Sequence, residues 1–218
     1  MANYNPGGPA PMANNNPGGP APVMHTAEAP NPIADPAPLG LAGFGLTTML
    51  LSFINAGIIA GGATLAVLPM AAAYGGTAQF IAGMWAFRRG NTFAATAFTS
   101  YGAFWWSYYL LVAVWLKGVP AADISPIVGL YLFMWGIFTL YMFIASLHGT
   151  RAVQVVFILL TLTFLLLAFG AWGWGGGGGT GFTHIGGFVG ILTAIAALYT
   201  SFADVLNATA RRVVLPTN

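Results

Sequence analysis

The groups of this chain that could bind a solute are neutral polar side chains inside long apolar segments. An amide or hydroxyl in hydrocarbon needs a hydrogen-bond partner, which can be another helix or a solute. A single Ser or Thr usually bonds back to its own helix, whereas an amide is harder to satisfy locally, so for the two amides both alternatives stay open. The candidates for a substrate path are Asn55, Gln79, Thr99, Ser100 and Thr161.

Ionisable side chains are almost absent from these segments, which argues against an enzyme. The chain has three histidines, four acidic residues and no cysteine, and these are scattered. No metal-ligand cluster, thiol nucleophile or nucleophile–base pair is therefore visible. The glycine run 175–179 lacks the Lys-Ser/Thr that follows a phosphate loop. We predict no catalytic residue, metal or cofactor, and the net charge of +2 gives no sign of nucleic acid binding.

The composition predicts that lipid covers most of the chain, because 57% of the residues are hydrophobic and only 5% are charged. Each of six apolar segments is long enough to cross a hydrocarbon core of ~30 Å as a helix. They span residues 39–60, 62–87, 92–116, 127–147, 152–172 and 182–206. We therefore predict an all-α membrane protein with six transmembrane helices, the second of which is kinked at Pro69.

The first 34 residues have a different composition, in which the heptapeptide NPGGPAP occurs at residues 5–11 and 16–22. Proline removes amide donors and glycine resists ordering, so we expect a tail that does not fold alone. The predicted organisation is a disordered tail at residues 1–34, a membrane domain at 35–207 and a second tail at 208–218. No basic region precedes an apolar one at the N-terminus, so no cleavable signal peptide is expected.

The basic residues predict the orientation of the chain in a cell membrane. Six crossings put both termini on one side, and the connecting loops on that side carry most of the positive charge. The residues on that side are Arg88, Arg89, Arg151, Arg211 and Arg212, against Lys117 on the other. The positive-inside rule then predicts a multi-pass protein with both termini in the cytoplasm.

The stretch DPAPLGLAGF at residues 35–44 resembles the signature of the acetate uptake transporter family, the succinate–acetate permeases, written N-P-A-P-L-G-L-x-x-F. YGGTAQFIAG at 74–83, RRGNTFAATAFTSYGAFW at 88–105 and DVLN…RRVVLP at 204–216 are also similar to that family. The signature positions are Asp35, Pro36, Ala37, Pro38, Leu39, Gly40 and Leu41. The resemblance therefore covers essentially the whole predicted membrane domain.

This resemblance implies a homo-hexamer in which each six-helix protomer has its own pore for acetate or another small carboxylate, with succinate in some members. It also implies a constriction made by Phe44, Tyr101 and Leu160. Two positions depart from the family pattern, since Asp35 stands where Asn is usual and Ala86 where Glu is common. An ionised Asp accepts hydrogen bonds only, and its charge would repel an anion unless it is paired or faces away.

Helix geometry gives a partial check on the constriction. Tyr101 follows Thr92 by nine residues and Leu160 follows Arg151 by nine, so each lies ~14 Å inside the membrane. Phe44 reaches that level only if the proline-rich stretch before it is already buried in the protein. Without the resemblance, ordinary core packing would be the better explanation for Phe44 and Leu160.

The predicted function is membrane transport of acetate and related monocarboxylates, in which Tyr101 and the polar path residues supply neutral donors and the apolar constriction admits the methyl group. Acetate could pass as an anion through a channel, or a proton could travel with it. Two alternatives remain open. One is a channel for small neutral solutes such as water or ammonia, and the other is a membrane protein that transports nothing and serves as a scaffold or sensor.

Overall fold

Most of the described chain is helical. A computed structural model describes residues 33–218, and Ile33–Asn218 form one unit. Both NPGGPAP repeats, and with them most of the predicted N-terminal tail, lie outside the described residues. Within residues 33–218 the regular elements are α-, π- and 3-10 helices. The fold class of the described part is therefore all-α.

Seven α-helices follow one another along the chain. They are α1 (Ala37–Asn55), α2 (Thr64–Met70), α3 (Gln79–Arg89), α4 (Thr92–Ala113), α5 (Ala121–Ser146), α6 (Arg151–Ala171) and α7 (Thr180–Ala210). A π-helix, Ala71–Ala78, joins α2 to α3, so Thr64–Arg89 is one continuous helical stretch. The described chain thus has six long helical stretches, in agreement with the number of apolar segments in the sequence.

The π-helix follows closely after Pro69, the residue expected to kink the second segment. The Pro69 ring removes the N–H that would bond the carbonyl four residues earlier. The wider π-turns begin two residues later, and there the Ala72 carbonyl accepts a 3.1 Å hydrogen bond from Trp106 Nε1. This side-chain bond ties the distorted stretch to α4.

Two helix ends differ most from the predicted segments. Helix α1 ends at Asn55 rather than near residue 60, because Gly57 takes a left-handed backbone with φ of 73°. Helix α5 begins at Ala121 rather than at residue 127, and Pro126 lies inside it. The Pro126 carbonyl accepts a hydrogen bond from Trp172 Nε1 over 3.3 Å, so this early turn of α5 is held against the end of α6.

Side-chain caps begin two helices where the sequence breaks indicate. Asn91 accepts from the Ala94 N–H over 3.0 Å at the start of α4, directly after Gly90 in a left-handed conformation. Thr150 accepts from the Val153 N–H over 3.5 Å at the start of α6. These local hydrogen bonds fix where both helices start.

Five helical stretches are long and apolar enough to cross a membrane. They are Ala37–Asn55, Thr64–Arg89, Ala121–Ser146, Arg151–Ala171 and Gly177–Ala210. Helix α4 has 22 residues, a sufficient length, but it falls short in hydropathy because many of its side chains carry hydroxyl or indole groups. It is also the helix that contributes Tyr101 to the core.

Successive stretches run in opposite directions, so the helix ends gather at two ends of the bundle. At one end of the bundle, which we call the lower end, the starts of α1, α4 and α6 meet the ends of α5 and α7. The upper end lies opposite. At the lower end Arg89 donates to the Ile33 carbonyl, and the Ala152 N–H donates to the Thr217 carbonyl. The described segments before α1 and after α7 therefore meet the same end of the bundle.

Small residues allow α7 to approach its neighbours closely. A Cβ on Gly187 would overlap the Ala56 backbone nitrogen at the end of α1, and a Cβ on Gly190 would overlap the Ser52 side chain. A Cβ on Gly186 would lie 2.9 Å from Leu167 of α6. These glycines of α7 thus serve close helix packing within one chain.

Candidate pore

An upper cavity of about 300 Å³ opens between α1, α4, α5 and α6. On α1 its lining residues are Phe44, Thr48, Leu51, Ser52 and Asn55, and their spacing places them on one face of the helix. Phe44 and Leu160 are the lining residues closest to the middle of the bundle, and the ends of α1 and α6 line the other end of the cavity. The upper cavity therefore leads from the upper end to the predicted constriction.

A lower cavity of about 340 Å³ opens at the other end. Its apolar lining near the middle of the bundle includes Leu41, Phe98 and Phe157, and its mouth includes His148 and Asp204. Each of the three apolar residues lies three positions before a predicted constriction residue on the same helix. The lower cavity thus reaches to within one helical turn of the constriction.

The three predicted constriction residues, Phe44, Tyr101 and Leu160, are all buried, at 4%, 3% and 3% exposed. The rings of Phe44 and Tyr101 are in contact, with centroids 5.9 Å apart. Leu160 shares the floor of the upper cavity with Phe44, and Tyr101 contacts the Phe157 ring one turn below Leu160 at 6.2 Å. The structure therefore brings the three predicted residues to one level of the bundle.

The hydroxyl of Tyr101 is engaged with α5. It donates to Thr139 Oγ1 over 2.9 Å, and Thr139 in turn donates to the Trp135 carbonyl over 2.7 Å. The hydroxyl that was predicted to donate to the solute thus donates within the protein. In this arrangement the Tyr101 hydroxyl proton is directed at α5.

The predicted path residues fall into different environments. Asn55 lines the upper cavity, whereas Thr161 donates to the Phe157 carbonyl of its own helix over 2.8 Å. Thr99 packs against Gly83 of α3. Gln79 is buried near Gly43, and its Oε1 has no hydrogen-bond partner within residues 33–218. Ser100 is half-buried and, like Gln79, Thr99 and Thr161, lines neither cavity.

Several polar residues of the upper cavity were missed in the sequence, among them Thr48, Ser52 and Trp105. Thr48 and Ser52 lie four and eight positions after Phe44, so they continue its face of α1, and Trp105 lies four positions after Tyr101 on α4. The signal that could have found them is this spacing of four, counted from each constriction residue.

The signature motif lies at the lower end, and Asp35 is paired there. Its Oδ1 accepts from the Ala37 N–H over 3.0 Å, and its Oδ2 lies 3.9 Å from Arg89 Nη2. The pairing partly offsets the negative charge that the departure from Asn introduces. Pro36 is buried and Ser201 donates to the Pro38 carbonyl over 2.7 Å, so the proline-rich backbone is already inside the protein when α1 begins.

The chain matches a protein family and several known proteins. Residues 15–218 match the sequence profile of the GPR1/FUN34/yaaH family. The succinate-acetate/proton symporter SatP of Escherichia coli is 42% identical over 184 residues, which cover 84% of this chain and 95% of that one. Ammonia transport outward protein 2 of Saccharomyces cerevisiae is 37% identical over 187 residues, which cover 81% of this chain and 64% of that one.

A solved structure, that of the bacterial acetate channel SatP, matches with a TM-score of 0.77 at 42% sequence identity. The match covers 85% of this chain and 99% of that one. The similarity therefore extends over nearly the whole channel, and the two chains share their fold.

Proposed function

The chain belongs to the GPR1/FUN34/yaaH family, and from this premise we propose that it carries acetate and related small monocarboxylates across the membrane, with succinate as a further candidate. It is a multi-pass membrane protein with five strongly apolar helical stretches. The proposal rests on one observation, the two cavities that approach each other from opposite ends of the bundle. Phe44, Tyr101 and Leu160 are proposed to form the constriction that separates them. No catalytic reaction is proposed.

The apolar layer is proposed to select solutes by size and by the cost of losing water. A small carboxylate presents one charged end and a short apolar tail, and the layer contacts the tail without replacing the hydration shell. Larger or more strongly hydrated solutes are excluded because the three side chains must separate further to admit them. The polar path residues Asn55, Gln79, Thr99, Ser100 and Thr161 stay proposals, with Asn55 supported by its place in the upper cavity.

Neutral donors suit transport because they bind an anion weakly enough to release it. Among the described residues that line the upper cavity, none carries a charge, and the polar groups are hydroxyl, amide and indole groups. A carboxylic acid with a pKa near that of a Glu side chain, ~4.3, is under about 1% protonated at neutral pH. Anion current at fixed pH tests the channel mode, whereas proton uptake that accompanies acetate tests the proton-linked mode.

The membrane topology is proposed to have six spans, with α4 as the sixth. It packs among the other helices with Tyr101 and Phe104 in the core, so lipid need not cover its polar side chains. The proposed organisation is a cytoplasmic tail at 1–34, a membrane domain at 35–207 and a cytoplasmic tail at 208–218, in a homo-hexamer of the plasma or inner membrane with one pore per protomer. The exposed apolar side chains contact lipid or neighbouring protomers.

Single cysteines test this topology, since the native chain contains none. A cysteine at position 212 should react with a membrane-impermeant thiol reagent only from the cytoplasmic side, and one at position 178 only from the other side. The opposite labelling pattern would reverse the topology. The mass of the purified protein in lipid nanodiscs tests the hexamer.

Radiolabelled acetate flux into proteoliposomes tests the function itself. The wild type should give saturable uptake, and Tyr101→Ala should change its rate or its selectivity because the ring that closes the pore is removed. Tyr141→Ala is the matched control, since Tyr141 is on α5, is half exposed and lines neither cavity. Absence of flux from a folded wild-type oligomer would refute acetate transport and would favour the scaffold or sensor.

A channel for ammonia or water is the second candidate function. The uncharged lining of the upper cavity suits a neutral solute as well as a weakly bound anion, and one relative carries ammonia transport in its name. This candidate predicts flux that is independent of membrane potential and that acetate does not inhibit. Both properties can be measured in the same proteoliposomes.

A further inference from the structure

The motif DVLN…RRVVLP at residues 204–216 is held together by the side chain of Asn207, in the last turn of α7. Asn207 Oδ1 accepts from the Val214 N–H over 2.7 Å and from the Leu215 N–H over 3.0 Å. Its Nδ2 donates to the Leu215 carbonyl over 2.8 Å. Because a side-chain amide both donates and accepts, a single residue can bind a short segment in this way. These bonds fold the chain after α7 back onto the bundle.

The chain reverses its direction at Arg211, directly after α7. Its φ of 54° is left-handed, and within residues 33–218 it is the one non-glycine residue with a positive φ. A residue with a Cβ is crowded in this conformation, which persists only where surrounding contacts hold it. The Arg212 N–H donates to the Asn207 carbonyl over 3.3 Å. Asn207 therefore holds the turn through its backbone as well as through its side chain.

Beyond this turn the chain reaches α6. We call residues 211–217 the strap. The Tyr199 hydroxyl on α7 donates to the Pro216 carbonyl over 2.7 Å, and the Ala152 N–H on α6 donates to the Thr217 carbonyl over 2.9 Å. The first N–H groups of a helix have no acceptor in their own helix, and here the strap supplies one. The strap thus joins the last turn of α7 to the first turn of α6.

The strap contacts α6 on the side away from the pore. Ala152 and Val155 line a hollow of about 250 Å³ beneath the strap. Val153 and Phe157 line the lower cavity and Leu160 lines the upper one, so the pore face of the helix differs from the strap face. Leu160 follows Ala152 by eight residues, or ~12 Å along one helix. A rotation or shift at the start of α6 therefore moves Leu160.

Hydrogen bonds join α6 and α7 at two heights. Near the middle of the bundle, Thr163 and Thr193 share a hydrogen bond over 3.2 Å. At the lower end the strap connects the two helices through Tyr199 and Ala152. Attachment at two heights opposes a rotation of α6 about its own axis, which a single bond would permit.

We propose that Asn207 is a positioning residue for transport, which acts through the strap to hold the start of α6 and so fixes Leu160 at the constriction. Asn207 itself lines neither cavity. Release of the strap lets α6 rotate, and the constriction then admits larger monocarboxylates on the side of Leu160. This inference rests on the proposed function, in which the constriction selects solutes by size.

Uptake of radiolabelled acetate into proteoliposomes, with unlabelled butyrate as the competitor, tests the role of Asn207. Asn207→Leu removes the side-chain bonds to the strap and keeps a similar volume. It should lower the preference for acetate over butyrate about threefold, equivalent to ~0.65 kcal/mol, with a smaller effect on the maximal acetate rate. The matched control is Ala208→Leu, at the neighbouring exposed position of α7, which should keep the wild-type preference.

A second variant, Ala152→Pro, removes the N–H that donates to Thr217 and leaves the bonds of Asn207 intact. Proline is tolerated in the first turn of a helix, and Pro38 occupies the same second position of α1. This variant should also lower the preference for acetate about threefold. Its control, Ala152→Ser, keeps the N–H and should behave as the wild type. If Asn207→Leu does not fold, this pair decides the outcome.

Hydrogen–deuterium exchange at the Ala152 amide gives a readout that does not depend on transport. It should be about tenfold faster in Asn207→Leu than in Ala208→Leu, because water replaces the Thr217 carbonyl when the strap opens. Unchanged exchange would overturn the inference, and so would an acetate preference in both strap variants that equals that of their controls. Either result leaves acetate transport intact, whereas absence of wild-type uptake would refute the proposed function.

Discussion

The hydrogen bond between Tyr101 and Thr139 allows the side chain at the constriction to be tested atom by atom. Thr139→Val removes the acceptor of the Tyr101 hydroxyl and keeps the shape of the side chain. The hydroxyl is then buried at the centre of the bundle without its partner on α5, since Tyr101 is 3% exposed and its bond of 2.9 Å goes to Thr139. We expect this variant to be less stable than the wild type.

The size of the effect follows from which atoms lose a partner. An unsatisfied buried hydroxyl costs ~1–3 kcal/mol, and interhelical hydrogen bonds in membranes contribute ~0.6–1.7 kcal/mol. Thr139→Val should therefore cost about 1–2 kcal/mol. Tyr101→Phe should cost less, about 0.5–1 kcal/mol, because Thr139 keeps its 2.7 Å bond to the Trp135 carbonyl.

The double variant, Tyr101→Phe with Thr139→Val, leaves no hydroxyl unsatisfied at this position. Its stability should lie within about 0.5 kcal/mol of that of Tyr101→Phe alone, which gives a coupling of ~1 kcal/mol between the two side chains. Unfolding in mixed micelles of increasing SDS fraction measures all four proteins. Additive effects of the two substitutions would refute the inferred hydrogen bond.

Acetate flux through the same variants separates the hydroxyl from the ring. Because the hydroxyl bonds to α5 and the ring is proposed to close the space between the cavities, Tyr101→Phe should retain flux within about twofold of the wild type, a difference below ~0.5 kcal/mol. Tyr101→Ala should change flux or selectivity strongly. If Tyr101→Phe lost transport as completely as Tyr101→Ala, the hydroxyl would have to contact the solute, and the assignment of its proton to Thr139 would be wrong for the conducting state.

Three further predictions concern the constriction, the signature motif and helix packing. Phe44→Ala and Leu160→Ala should admit monocarboxylates larger than acetate in competition assays, whereas the surface control Leu162→Ala (44% exposed) should not. Unchanged selectivity would exclude the layer as the filter. Asp35→Asn should change the free energy of unfolding by less than about 1 kcal/mol. The Asn oxygen can still accept from the Ala37 N–H, and the 3.9 Å pair with Arg89 is exposed to solvent. Loss of the folded protein in thermal unfolding would contradict this. Gly187→Ala should prevent folding, because its methyl group would overlap the Ala56 backbone nitrogen. The control Gly62→Ala, with open space around it, should be neutral. Protein yield and the gel-filtration profile measure both variants.

Local chemistry made the helices predictable. A chain in hydrocarbon must satisfy its backbone hydrogen bonds within each segment, so long apolar runs predict helices without knowledge of their neighbours. The starts of α4 and α6 could be located because Asn91 and Thr150 provide caps within their own first turns. The end of α1 was missed because a single glycine, Gly57, in a left-handed conformation ends the helix inside an apolar run.

The resemblance to a transporter family, and not the hydropathy pattern, identified Phe44, Tyr101 and Leu160 as one layer. The counting of residues along each helix placed Tyr101 and Leu160 at equal depth, because the rise per residue is fixed. It could not tell whether the side chains face each other. Their contact depends on the rotation of three helices about their own axes, which neighbouring helices determine.

The tertiary structure alone distinguishes polar side chains that face a cavity from those that face a neighbouring helix. Lipid and protein interior are both apolar, so the sequence of a membrane helix carries little periodic signal for its buried face. Thr99 and Thr48 have the same chemistry in sequence, yet Thr99 packs against Gly83 and Thr48 lines the upper cavity. The sequence by itself determined that this chain is a bundle of apolar helices with few polar groups, and packing decided which of those groups a solute can reach.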